Sequence, residues 1–251
     1  MRKLLLLLLL ACPVWCWGTI SLINCQSNVA SLSASVSITS FVLTTAGDGI
    51  MVWTGGSTIT VTPTVSDNGS GGSQTYTQAG FENASAVGSG YAFTVANATS
   101  AVNGATITAS WSGSLSLFIT ACEVTNAVTS GIVDGTPAGS TANLVTSLTS
   151  GALTTSNAGT DLLVYCIGAS STSISSQTAG TNYAIPSGAT SVHDACQTRA
   201  VTGTQSGVTT SMSWTTSATH VVGLYFALEQ SGSAVNSQFD KRRKLARISI
   251  F

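Results

Sequence analysis

Residues Ala105–Asn126 read ATITASWSGSLSLFITACEVTN. In the first half Ile107, Ala109 and Trp111 alternate with Thr and Ser, the period of a strand that turns one face inward. From Ser114 to Val124 the apolar residues run almost without interruption, which suits a central strand covered on both faces. Asp161–Ile167 is a second run of this kind, and the two are expected to form the core. One-sided alternation recurs at Leu32, Ala34, Val36 and Ile38, at Ile59, Val61 and Val65, and at Tyr91, Phe93 and Val95. Met212 and Trp214, a turn at Thr215–Ala218 and the segment Thr219–Leu228 read as a hairpin. Turn signals fall at Asp48-Gly49, Asp67-Asn68-Gly69, Asn103-Gly104 and Asp134-Gly135. About ten strands follow from this spacing, more than one flat sheet can cover, so the expected fold is an all-β antiparallel two-sheet sandwich.

Composition supports the same architecture. The 251 residues include 38 Ser and 37 Thr, whereas charged residues make up only 7% of the chain against the usual ~25%. Leu, Glu, Lys and Arg are scarce outside the ends, which removes the raw material of amphipathic helices. An apolar content of 43% still supplies a sizeable core, so the chain is not a disordered Ser/Thr stalk. Ser and Thr on outward faces stay hydrated without adding charge, and such a surface guards its sheet edges poorly against neighbouring strands. No repeat of 20 to 50 residues is visible.

The ends differ from the body. Arg2 and Lys3, the apolar run Leu4–Leu10 and Cys16-Trp17-Gly18 read as an export signal over residues 1–18, too short for a membrane span. The rival reading takes Leu9-Leu10-Ala11-Cys12 as a lipoprotein box that anchors the chain through Cys12. Residues 19–230 read as one domain carrying eight acids against Arg199, a net −7. Residues 231–251 are a polar linker and a basic tail in which Lys241, Arg242, Arg243, Lys244 and Arg247 oppose Asp240, a net +4. The tail is the only basic cluster of the exported chain, which argues against a nucleic-acid partner.

The segments Thr60–Gly80, Ala105–Asn126, Asp134–Thr141, Thr154–Ser170 and Ser217–Leu228 resemble, in their order and pattern, Ser/Thr-rich jelly-roll-like modules of secreted bacterial proteins and phage tail proteins. The resemblance covers roughly Ser31–Leu228. It implies surface attachment or a structural role and brings no catalytic motif.

Four cysteines remain after the signal: Cys25, Cys122, Cys166 and Cys196, an even set consistent with two disulfides in an exported chain. Three pairings are open. Cys122 and Cys166 lie in the two most apolar strands, which favours a bridge between them and a second from Cys25 to Cys196; the competing reading leaves Cys122 and Cys166 as free apolar thiols. No CxxC spacing points to zinc, and no Gly-x-Ser-x-Gly marks a nucleophile elbow. His193-Asp194 beside Cys196 does not form a dyad, because neighbours in a strand point to opposite faces. No Glu-x-Asp pattern places two carboxylates for glycoside hydrolysis, and Glu123 reads as a buried anchor or strand-end residue. Asp67-Asn68-Gly69-Ser70 is explained by a tight turn without calcium.

A sugar-binding face needs exposed aromatics beside amide and carboxylate groups. Trp53, Tyr76, Phe81 and Tyr183 are the candidate loop aromatics, with Asp48, Asp67, Asn68 and Gln78 as polar neighbours, while Trp111 and Trp214 follow the inward alternation of the core. The expectation is a non-catalytic module, secreted or held at the cell surface, without metal or cofactor, directed to a cell-surface or polysaccharide ligand. The alternatives are a structural subunit of a virion, tail or fibre that self-assembles through sheet edges, and an extracellular glycan hydrolase.

Overall fold

The structure, a computed structural model, describes residues 18–57, 61–84, 88–169 and 173–232. Of the expected export signal over residues 1–18, all but Gly18 lies outside the described residues, including Cys12, as do the basic stretch beyond residue 232 and Ile59. The described residues form twelve strands: β1 Ser21–Ile38, β2 Gly49–Gly56, β3 Thr64–Asp67, β4 Thr77–Ala84, β5 Gly88–Val95, β6 Ile107–Thr125, β7 Val133–Ala142, β8 Val145–Thr149, β9 Thr160–Ala169, β10 Asp194–Thr202, β11 Ser211–Ala218 and β12 Val221–Glu229. Among the described residues no helix is long and apolar enough to cross a membrane.

All pairing between these strands is antiparallel. One sheet runs β1-β6-β2-β5-β4 with β3 also paired to β6, a second runs β10-β9-β12-β7, and β11 and β8 form a third, two-stranded sheet. The long strands bend the first sheet. β6 pairs through Ile107–Ser110 with β3 and through Leu117–Val124 with β2, while β1 follows it along its length across three irregularities in register. Leu32 sits at one of these irregularities with φ +49° and is 81% exposed, so the expected inward alternation in β1 holds only for Val36 and Ile38.

Three hydrophobic clusters result, two more than the single layer of a simple sandwich. Met51, Trp53, Phe118 and Cys122 meet Val164, Cys166, Leu224 and Phe226 between the two larger sheets. On the other face of the first sheet, Ile50, Val52, Phe93 and Ile119 meet Val36, Ile38, Ile107 and Trp111 inside the curl. On the far face of the second sheet, Leu163, Tyr165, Ile167 and Tyr225 meet Leu148, Met212 and Trp214 of the small sheet. Strands β2, β5 and β12 are thus buried on both faces almost throughout, and so is β9. The continuous apolar runs of β6 and β9 fit this placement.

Large rings between the sheets require bare backbone opposite them. A Cβ on Gly90 would lie 2.1 Å from the Trp53 ring, and one on Gly168 would lie 2.1 Å from Phe118. Trp53 also donates its indole N–H to the Ile167 carbonyl of the facing sheet at 3.1 Å.

Two expectations are corrected. The hairpin between Met212 and Leu228 does not form, because β11 pairs with β8 whereas β12 lies between β9 and β7. The disulfides are Cys25–Cys122 and Cys166–Cys196, not Cys122–Cys166 with Cys25–Cys196. Cys122 on β6 and Cys166 on β9 belong to different sheets. Each has a cysteine on the adjoining strand instead, with Cα atoms 4.1 Å and 4.0 Å apart.

The sheet edges are treated unequally. Residues 184–190 form a strap along β10 through the bridges Ala184↔Thr198 and Thr190↔Ala195 and the bond from Cys196 N–H to Ala189 O at 2.9 Å. Edge strand β7 carries Pro137, which has no N–H to offer, and an irregularity opposite Tyr225–Ala227. Edge strand β4 pairs with β5, and among the described residues no strand pairs with its outer side.

Peptide mapping without reduction is expected to recover Cys25 linked to Cys122 and Cys166 linked to Cys196; a Cys122–Cys166 peptide overturns the assignment. Removing either bridge should cost about 2–5 kcal/mol of stability. Trp53→Ala should cost about 3–5 kcal/mol in denaturant unfolding, and an unchanged midpoint contradicts its place between the sheets.

Candidate functional site

The eight sequence-predicted site residues do not converge. Trp53 is not in a loop: it is fully buried in β2, and its one polar atom is spent inside the protein. Tyr183 is half-buried against the outer cluster, its hydroxyl bonded to that of Tyr225. Tyr76 packs against the cluster inside the curl, and burial, followed by the charge of Asp67, pushes its hydroxyl far above the usual tyrosine range.

Asp67 is spent on its own turn. Its carboxylate accepts from Gly69 N–H at 2.9 Å and Gln74 N–H at 2.8 Å, while its own N–H donates to Ser73 Oγ at 2.9 Å. Exposed Asn68 accepts from Thr106 N–H at 2.7 Å and ties this loop to the next. Asp67, Asn68 and Tyr76 therefore share one loop region, and the first two of them hold it together.

Gln78 and Phe81 remain exposed, both on β4. Phe81 is 54% exposed and stacks on Tyr91 of β5, with ring centroids 5.8 Å apart and an interplanar angle of 15°. Gln78 lines a cleft of about 190 Å³ with Thr77, Ala79, Thr94, Ala96 and the Gly131–Val133 segment that leads into β7. Gly80 beside it packs on Pro137 and Leu224, where a Cβ would come within 2.8 Å of Pro137. This cleft lies between two edge strands and borders one of the predicted site residues.

Asp48 belongs to a different constellation that its spacing did not announce. Glu123, fully buried at the end of β6, accepts from Asn24 Nδ2 at 2.7 Å, Thr44 Oγ1 at 2.9 Å, Thr44 N–H at 3.0 Å and Thr45 N–H at 3.1 Å. Burial works to raise the Glu123 pKa, but these donors outweigh it and hold the carboxyl below its usual value. Asp48 is raised to about 6, by burial first and by Glu123 second. The pair keeps its negative charge on Glu123.

Two further carboxyls behave as Asp48 does. Asp161 is raised to about 6 by burial and then by the charge of Asp134. Asp134 stays low because donors from Ser156 and Asn157 offset its burial. Fully buried Asp194 is raised to about 6 by burial, against the hydroxyls of Ser191 and Thr120 that bond it. His193 turns away from that carboxylate, its Nδ1 3.1 Å from the Ala169 carbonyl. Among the described residues no three His, Cys, Asp or Glu side chains are grouped to hold a metal ion.

No protein-family model, curated protein or solved structure matches this chain, so the chemistry of the site rests on its own residues. Asp48, Asp161 and Asp194 are each raised from 3.8 to about 6, so the folded state binds more protons than the unfolded chain between these values. Their contribution favours folding in acid and is lost as pH rises through about 6. Glu123 and Asp134, with lowered values, act oppositely, and their contribution is lost only as pH falls through their depressed values. The melting temperature should therefore be higher at pH 5 than at pH 7.5, and Asp194→Asn should flatten the difference. A higher melting temperature at pH 7.5 contradicts these assignments.

Proposed function

We propose that the protein is an exported, non-catalytic β-sandwich module that binds a cell-surface or polysaccharide ligand at the β4–β7 cleft. The observation that carries this reading is the wall of that cleft: Gln78, Thr77 and Thr94 offer hydrogen-bonding groups beside the apolar Ala79, Ala96, Ile132 and Val133. A sugar ring presents the same mixture of hydroxyls and C–H faces, and in this cleft small aliphatic side chains stand where an aromatic ring was expected. Two disulfides fit an oxidising environment outside the cytosol. The hydrolase reading has less support, since Glu123, Asp134 and Asp161 are buried and the first two are occupied by hydrogen bonds.

A structural subunit is the second reading, favoured by the unpaired outer side of β4 among the described residues. A glycan array read alongside a sizing column distinguishes the two. Binding by a monomer supports the module, and ordered assemblies without ligand support the subunit. For the module, Gln78→Ala should weaken binding by about 1 kcal/mol, roughly fivefold, without changing the melting temperature. High salt should alter the affinity little, because the cleft residues are uncharged. Undiminished binding by Gln78→Ala removes the cleft from the reading.

A further inference from the structure

Asn83 lies on β4 within the tripeptide Asn83-Ala84-Ser85, which fits the Asn-x-Ser/Thr acceptor pattern for N-linked glycans. The same pattern occurs at Asn68-Gly69-Ser70 and Asn97-Ala98-Thr99, and all three asparagines are exposed. With Ser and Thr at 75 of 251 positions, three such tripeptides among 11 asparagines are what chance supplies. Their number carries no weight; the surroundings of Asn83 do.

Side chains two apart on a strand share a face. Phe81 and Asn83 are so placed, Phe81 opposite Tyr91 and Asn83 opposite Ser89 on β5. Gly80 and Glu82 take the other face, toward Pro137, Leu224 and Gly139 of the second sheet. Phe81 is the one large exposed aromatic among the described residues. Tyr91 stacks on its ring, and about half of the residue remains exposed. An asparagine beside a stacked, part-exposed aromatic residue can lay the C–H side of its first sugar onto that ring. Asn68 and Asn97 have Ser66 and Val95 at the corresponding position and lack such a platform.

We propose that Asn83 is N-glycosylated and that its first sugar rests on Phe81. In the transfer, Asn83 Nδ2 attacks the anomeric carbon of a polyprenyl-diphosphate-linked oligosaccharide. The new C–N bond replaces the C–O bond to diphosphate, Nδ2 gives up one proton, and the polyprenyl diphosphate leaves. An oligosaccharyltransferase of the export route catalyses the step while the chain is still extended. On the folded protein the glycan lies over the outer side of β4 and blocks strand addition there. The proposal does not rest on the cleft at Gln78, which lies toward the opposite end of β4.

The test is secretion of the full chain from cultured mammalian cells, followed by peptide mass analysis with and without an amidase that converts glycosylated Asn to Asp. Asn83 is expected to carry an oligosaccharide, and Ser85→Ala is expected to remove it. Phe81→Ala should leave occupancy at Asn83 unchanged relative to Asn68 and Asn97, because the transfer precedes folding and the Phe81–Tyr91 contact. It should also lower the melting temperature of the glycosylated protein more than that of the amidase-treated protein. An unmodified Asn83 in the secreted wild-type chain overturns the proposal. Equal losses of melting temperature with and without the glycan, at unchanged occupancy, overturn the role of Phe81.

Discussion

Trp53 fills the space between two sheets that must each be covered on both faces. A ring of that size can lie there only because the strand beside it has no side chain at Gly90, and its indole N–H can enter a dry layer only because the Ile167 carbonyl accepts it. Phe118, 5.8 Å away in ring centroids, uses Gly168 of the facing sheet in the same manner. These two rings set how closely the sheets approach and which residues face one another. The curl of the first sheet and the small sheet beyond the second then close the outer faces with Trp111 and Trp214. A chain with few charges reaches a large buried fraction by stacking such layers.

The buried carboxyls follow from the same economy of charge. Strand ends leave backbone N–H groups that need acceptors, and in a dry environment a carboxylate satisfies several at once. Glu123 gathers Thr44, Thr45 and Asn24, and Asp134 gathers Ser156 and Asn157, so each fastens a loop to a strand end. The cost falls on the second acid nearby, Asp48 or Asp161, which is driven toward its neutral form.

Strand content was legible, and so were two of the buried strands, because hydrophobic patterning reports burial directly, whereas β2 and the two-sided burial of β5 were not. The continuous runs at Ser114–Val124 and Asp161–Ile167 mark β6 and β9, and alternation placed Trp111 and Trp214 inside. Partner choice was not legible. Met212 and Trp214 alternate as a strand should, yet alternation names a face and not a neighbour, so β11 and β12 read as a hairpin although they lie in different sheets. Apolar surroundings made Cys122 and Cys166 look like partners, while the bridges depend on which strands adjoin. Trp53 was misread because the glycines that follow it, Gly55 and Gly56, suggest a loop; a Cβ on Gly55 would lie 2.7 Å from Phe118, so here glycine signals a crowded interior. Of the expected site, Gln78 and Phe81 keep exposed positions on β4, Asp67 holds its own turn, and Asp48 lies beside buried Glu123.

The strap along β10 has a covalent consequence. Cys166 and Cys196 lie 30 positions apart in the chain, and residues 184–190, which shield the β10 edge, lie between them. A protease that cuts one bond within this segment leaves both fragments joined through sulfur, with the register of β9 and β10 still fixed by the crosslink. Such a nicked molecule migrates as one chain until it is reduced. The segment that guards an edge of the sheet is therefore also one where the backbone can be broken without dividing the molecule.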